Sequence, residues 1–170
     1  VAYFKLYYPL EFYAVFFSVR SDDYDIKSMI EGEDAIKAKI EELRARMDDR
    51  SNPLKNKEIN IYKTLLIALE MVERGYKFEN IDLYKSDAQM FVVDHENKAL
   101  IPPFSVVDGL GLAAAQSIVD ARSDGRKFLS KEDILKRANK LNSTNLNDLE
   151  KLGVLKGLGE TNQMSLFEFF

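Results

Sequence analysis

The sequence predicts a mostly α fold: a helical N-terminal portion, a small extended or β connector, two compact turn-then-helix units and a flexible C-terminal tail. Three observations carry this expectation. Apolar residues recur at helical spacing through the first 75 positions. Between Lys77 and Pro103 the pattern changes to short β-like runs. Gly109-Leu110-Gly111 then opens directly into an apolar helical stretch. A chain of 170 residues with 46% hydrophobic content buries a core in one domain or two small ones.

Val1–Tyr8 starts without a helix-start signal, as though cut inside a helix. Pro9 suits the first turn of the next helix, where its missing N–H costs nothing. That helix turns Leu10, Tyr13, Ala14, Phe17 and Ser18 inward, an aromatic density that reads as core. The acidic stretch Ser21–Asp25 reads as a cap region. Ile36, Ile40, Leu43 and Met47 follow helical spacing with charges between them, and the polar, proline-containing stretch Asp48–Lys57 reads as a loop. Helix resumes through Leu65, Leu66, Leu69 and Val72 and stops at Gly75. Tyr84–Val93 and Lys98–Ile101 read as short strands around a turn at Glu96-Asn97, and Pro102-Pro103 forces an extended exit. Ser130-Lys-Glu-Asp133 resembles a capping box for a helix running to about Asn139.

The Gly109–Gly111 turn carries the most chemistry. Glycine reaches positive φ and leaves backbone amides uncovered. The following helix turns Leu112, Ala115, Ile118 and Val119 to one side, so its N-terminal N–H groups and the positive end of its dipole face outward together. Such a cradle suits an anion. The repeating anion of DNA is phosphate, contacted without regard to base sequence. The plain alternative is a helix start that binds nothing. The apolar residues at 107, 110, 115 and 118 match helix-hairpin-helix spacing, which favours DNA-backbone binding by Gly109, Leu110, Gly111 and Leu112. Leu141–Gly153 offers a second turn-then-helix without glycines, a degenerate partner. A pseudo-symmetric pair of such units holds both strands of a duplex, with Lys140, Asn142, Ser143 and Thr144 as further phosphate candidates.

Composition excludes several classes. No cysteine means no disulfide, thiolate metal site or cysteine nucleophile, which suits the cytoplasm. His95, the one histidine, sits in a polar turn, so neither a His-based metal site nor a Ser-His relay is available. No signal peptide is visible, and the apolar run Tyr7–Val19 is interrupted by Pro9 and Glu11 and too short for a bilayer. Net charge is −4, but residues 97–160 carry 10 Lys and Arg against 8 Asp and Glu. Arg122, Lys127 and Lys140 lie in this locally basic stretch and are candidate phosphate contacts. A solvated helical face is the competing reading. Asp22-Asp23 and Asp48-Asp49 invite a metal reading, which their cap and loop contexts oppose.

The last residues differ in kind. Met164, Leu166, Phe167, Phe169 and Phe170 are too few to form an element and, exposed, would invite aggregation unless they dock. Folding back onto their own domain is the plain alternative. Gln163-Met164-Ser165-Leu166-Phe167 instead matches the pentapeptide with which bacterial replication proteins bind the sliding clamp, its glutamine amide hydrogen-bonding while Leu and Phe fill an apolar pocket.

With these features in place, the chain resembles the C-terminal end of the PolC-type family of bacterial DNA polymerase III alpha subunits. The resemblance is carried by Ala2-Tyr-Phe-Lys5, Tyr8-Pro-Leu-Glu-Phe-Tyr13, Glu73-Arg-Gly-Tyr76, Asp82-Leu-Tyr-Lys-Ser86, Leu100-Ile-Pro-Pro-Phe104, Gly109-Leu-Gly111, Ala121-Arg122, Phe128-Leu-Ser-Lys-Glu-Asp133 and the pentapeptide. It spans nearly the whole chain and departs most between about 30 and 60. Met164 stands where the motif usually has Leu.

The resemblance implies that residues 1–76 belong to the polymerase fingers, 77–157 form a tandem helix-hairpin-helix region on duplex DNA, and 158–170 are a tail that tethers the enzyme to the clamp. It implies a bacterial cytoplasmic replication enzyme without membrane contact, whose partners are primer-template DNA, the clamp and the rest of the polymerase chain. The acidic palm residues that hold two Mg²⁺ for phosphoryl transfer in the parent enzyme have no match here. The chain alone is therefore expected to bind no cofactor and to be inactive. Two alternatives have other outcomes: a non-enzymatic DNA-binding adaptor, and a clamp-interaction module whose glycine turn is structural.

Overall fold

A computed structural model describes residues 1–161. The pentapeptide Gln163–Phe167, with the rest of the expected tail beyond 161, lies outside them. The fold is mostly α with one small sheet, as the sequence predicts, and it divides into two compact units. One comprises Val1–Glu79 with Met90–Ile101; the other comprises Asn80–Gln89 with the described residues from Pro102 on. The strands after Gly75 group with the N-terminal helices.

In the first unit, α1 (Ala2–Tyr7) and α2 (Pro9–Val15) meet at Tyr8, with Pro9 in the first turn of α2 as expected. Residues Phe16–Arg20 continue as a π-helical turn. Leu10, Tyr13, Ala14 and Phe17 are buried, so the expected inward face is the observed one. Ser18 is used differently. Its hydroxyl donates to the Ala14 carbonyl at 2.6 Å and accepts the Phe91 N–H at 2.8 Å, stitching the helix end to the approach to the sheet. Phe17 packs its ring against Phe78 and Phe91 at 5.2 and 5.6 Å between centroids.

Gly32, at φ +110°, separates α3 (Ile26–Glu31) from α4 (Glu33–Met47). In α4, Ile36, Ile40 and Leu43 are buried as expected, while Met47 reaches solvent. Next, α5 (Asn56–Glu73) buries Thr64, Leu65, Ala68 and Met71. The stripe is rotated from the expected one: Leu66 is 37% exposed, while Thr64 is buried.

Three short strands close the unit in the order β1-β3-β2: β1 (Lys77–Phe78), β2 (Val92–Asp94) and β3 (Ala99–Ile101). The β2–β3 turn falls at the expected place, with Asn97 N–H on the Asp94 carboxylate at 3.2 Å and Lys98 at φ +52°. Pairing of β1 parallel to β3 was not foreseeable from local pattern.

The expected strand over Tyr84–Val93 exists only from Val92. Asp82 prevents the rest: its carboxylate accepts the Tyr84 and Lys85 N–H groups at 2.8 and 2.9 Å, folding the chain into a turn that opens the second unit. There, a single 3₁₀ turn (Phe104–Val106) precedes α6 (Leu112–Ala121), α7 (Lys131–Arg137) and α8 (Ser143–Lys151). Ser130 caps α7 as predicted, accepting the Asp133 N–H at 3.0 Å. Beyond α8 the chain returns to α7, where Lys131 and Glu132 donate their N–H groups to the Gly159 and Glu160 carbonyls at 2.9 and 3.0 Å.

Candidate nucleic-acid interface

The turn before α6 is built around Leu110. This side chain is 3% exposed, and its N–H donates to the Val107 carbonyl at 3.1 Å. Fully burying a leucine contributes about 1.5–3 kcal/mol, enough to fix the turn against the core. Gly109 bridges into it at φ +78°, a left-handed conformation that L side chains adopt at a cost. Gly111 is different. It is extended (φ −70°, ψ 164°), starts α6 without any side-chain cap, and a Cβ built on it meets nothing within 4 Å. The first-turn amides of α6 therefore open onto free space with the helix dipole behind them. Leu112 is 50% exposed, which corrects the expected inward position: α6 buries Ala114, Ala115, Ser117 and Ile118.

The turn before α8 repeats this construction 31 residues later. Leu141 is buried, its N–H donates to the Ala138 carbonyl at 3.0 Å, and the cap residue Asn142 is extended. Two differences follow from the sequence. Lys140 stands where the first turn has Gly109, so this turn is built without a left-handed residue. Asn142 also caps its own helix, accepting the Asn145 N–H at 2.8 Å, so one amide that is open in the first turn is covered in the second. Lys140, Ser143 and Thr144 are exposed around this helix start. The two turns are joined directly: Asn145 Nδ2 donates to the Gly109 carbonyl at 3.0 Å. A shallow groove beside them is lined by Ala113 and Gln116 of α6 and by Asn139 and Lys140 of the second turn.

The helix-hairpin-helix motif family matches residues 75–165. The chain belongs to that family. Along nearly its full length it is also similar to PolC-type DNA polymerase III: 48% identical over 167 residues to the protein of Halalkalibacterium halodurans and 47% to that of Bacillus subtilis, covering 98% of this chain in each case. The Streptococcus sanguinis protein is 44% identical over all 170 residues. The chain spans about 11% of the length of these relatives, so it corresponds to a segment of a much longer polymerase.

Within the helix-hairpin-helix unit, the expected site residues separate into two groups. Gly109, Leu110, Gly111, Leu112, Lys140, Ser143 and Thr144 lie on the two joined turns. Arg122 and Lys127 do not. Arg122 follows the last residue of α6, a helix of 10 residues, and therefore lies about 15 Å from its N-terminus at 1.5 Å per residue. Its guanidinium donates to the Leu83 carbonyl at 3.0 Å and stacks over Phe104, and burial pushes its pKa below the usual value. Lys127, in the loop beyond that end, lies over the Tyr84 ring at 5.8 Å. Each has a protein partner that only the fold supplies, Arg122 half-buried and Lys127 still exposed.

Other basic residues are consumed in the same way. Arg137 donates to the Ala121, Arg126 and Lys127 carbonyls at 2.9–3.1 Å and sits 4.5 Å from the Phe128 ring. Lys131 pairs with the carboxylates of Glu150 and Glu160, which hold its ammonium pKa above the ordinary value. The exposed cations of the unit include Lys136, Lys140, Lys151 and Lys156. Sequence reasoning missed Asn145 and Asn139. The first carries a local signal, since it stands three residues after Asn142, where a capping partner belongs.

Among the described residues no group of three or more His, Asp or Glu side chains could hold a metal ion. Asp23 accepts a hydrogen bond from Asn60 at 3.0 Å, and Asp49 binds the Ser51 N–H at 2.8 Å. These are turn and tether contacts rather than an ion cradle. Among the described residues no helix is long and apolar enough to cross a membrane.

Proposed function

We propose that this chain is the duplex-gripping and clamp-tethering part of a replicative DNA polymerase of the PolC type. The observation that carries the duplex grip is the pair of turns locked together by Asn145, one presenting the uncapped amides of α6 and the other Lys140, Ser143 and Thr144. Both present donors suited to phosphate, backbone amides in one turn and a lysine with two hydroxyls in the other, so binding is independent of sequence. The gripping unit lies within residues 77–157, residues 1–76 are assigned to the fingers, and 158–170 carry the clamp peptide. The polymerising chemistry, with its Mg²⁺, belongs to the longer polymerase, and this segment keeps that enzyme on its product in the bacterial cytoplasm.

Charge variants test the assignment, because removing a cation that neutralises one phosphate lowers the salt dependence of binding by about one unit of slope. Lys140→Ala reduces the slope of log affinity against log salt by about one. Arg122→Ala lowers the melting temperature and leaves the slope unchanged, because its partner is the Leu83 carbonyl. A slope that falls for Arg122 and stays constant for Lys140 would place the duplex on the opposite end of the unit.

A further inference from the structure

We infer that Asn145 is a positioning residue that sets the two phosphate-binding turns in a fixed register, so that they engage the duplex together. The inference rests on the duplex-gripping reading above and deepens it.

Asn145 is 4% exposed, and both polar atoms of its side chain are used. Its backbone N–H donates to the Asn142 side-chain oxygen at 2.8 Å, and its own Oδ1 accepts the Asn142 N–H at 3.4 Å, closing a reciprocal cap on α8. That leaves Nδ2, which a capping residue has no need of. This amide crosses to the other turn and donates to the Gly109 carbonyl at 3.0 Å. Gly109 is the left-handed residue of the first turn, and its carbonyl belongs to the same peptide plane as the Leu110 N–H. Holding that carbonyl therefore fixes the direction in which the first turn runs into Gly111 and the open amides of α6. The Leu110 N–H is in turn held by the Val107 carbonyl at 3.1 Å, so the peptide is pinned at both ends.

The consequence concerns recognition more than stability. Two phosphate sites on separately mobile turns each find a phosphate independently, and a flexible single strand satisfies them as well as a duplex does. Two sites at one fixed spacing favour a ligand whose phosphates are themselves at fixed spacing, which a duplex offers and a flexible strand does not. Asn145 thereby contributes to the preference for duplex over single-stranded DNA without touching either.

The test uses the full chain and three substitutions, reading duplex and single-strand affinity across a salt series beside a thermal melt. Asn145→Ala removes both the cap and the crossing amide. Asn145→Ser retains a hydroxyl at the helix start and lacks the reach to Gly109. Ser130→Ala removes the equivalent cap at the start of α7, the end of that helix away from the second turn, and leaves the crossing amide in place. The expected result is that both Asn145 variants lose about tenfold in duplex affinity and about one unit of salt slope, with single-strand affinity unchanged. Ser130→Ala lowers the melting temperature and keeps the slope and the duplex preference. Should Asn145→Ala fold poorly, Asn145→Ser carries the comparison. The inference is overturned if the folded Asn145 variants keep the wild-type slope and preference, or if Ser130→Ala loses them equally. A wild-type chain without salt-dependent duplex binding overturns the underlying reading instead.

Discussion

Replacing Gly111 with valine weakens duplex binding at least tenfold, equally for duplexes of unrelated sequence, and leaves the fold intact. Gly111 is extended at φ −70° and ψ 164°, a conformation valine adopts freely, and a Cβ there meets no protein atom within 4 Å. The new side chain thus costs the folded chain little and occupies the space through which a phosphate reaches the α6 amides. A tenfold loss corresponds to about 1.4 kcal/mol, within what one charge-assisted hydrogen bond contributes. Gly109→Val is the contrasting case. At φ +78° it strains the turn whatever the space, so it lowers stability as well as binding. Fluorescence anisotropy with two unrelated duplexes, beside a thermal melt, distinguishes the two. Unchanged binding by a folded Gly111→Val chain would mean that the open amides are not the DNA site.

The second large effect lies in the tail. Changing Leu166 and Phe167 together to alanine abolishes binding to the isolated bacterial sliding clamp. These positions lie outside the described residues, so the expectation rests on their match to the clamp pentapeptide. Burying two or three such side chains contributes roughly 5–8 kcal/mol gross, and after the entropy of ordering the peptide a Kd on the order of micromolar remains. Coupled to DNA already held by the turns, the contact becomes effectively intramolecular and gains about 10²–10⁴ in avidity. The double variant therefore shortens synthesis per binding event in the complete polymerase while its duplex affinity stays at the wild-type value. Clamp binding that survives the substitutions, or a melt that collapses with them, would make the tail a core element.

Features fixed by short-range chemistry were legible in the sequence. Pro9 could only start a helix, Ser130 had an amide three residues ahead to accept, and an apolar residue between two glycines had nowhere to go but inward. What escaped was decided at long range. The pairing of β1 with β3 joins segments more than 20 residues apart, and no local period encodes it. Asp82 folded a β-like run into a turn because its carboxylate competed for the amides a strand would have used. The rotation of α5 that buries Thr64 and leaves Leu66 outside runs against hydropathy, so no apolar period could show it. In the candidate site, the glycine turn and its degenerate partner were visible, since both are local. The Leu83 contact of Arg122, the Tyr84 contact of Lys127 and the Asn145 bridge were not, because each spans more than 30 residues.

One measurement bears most directly on the central claim: affinity of the full chain for a duplex, read from low to high salt, with two unrelated sequences in parallel. A backbone clamp of several phosphates predicts that log affinity falls linearly with log salt, with a slope of about −0.9 per phosphate engaged, and that the two sequences coincide. Affinity independent of salt, or a slope that differs between the sequences, would contradict phosphate clamping by the paired turns.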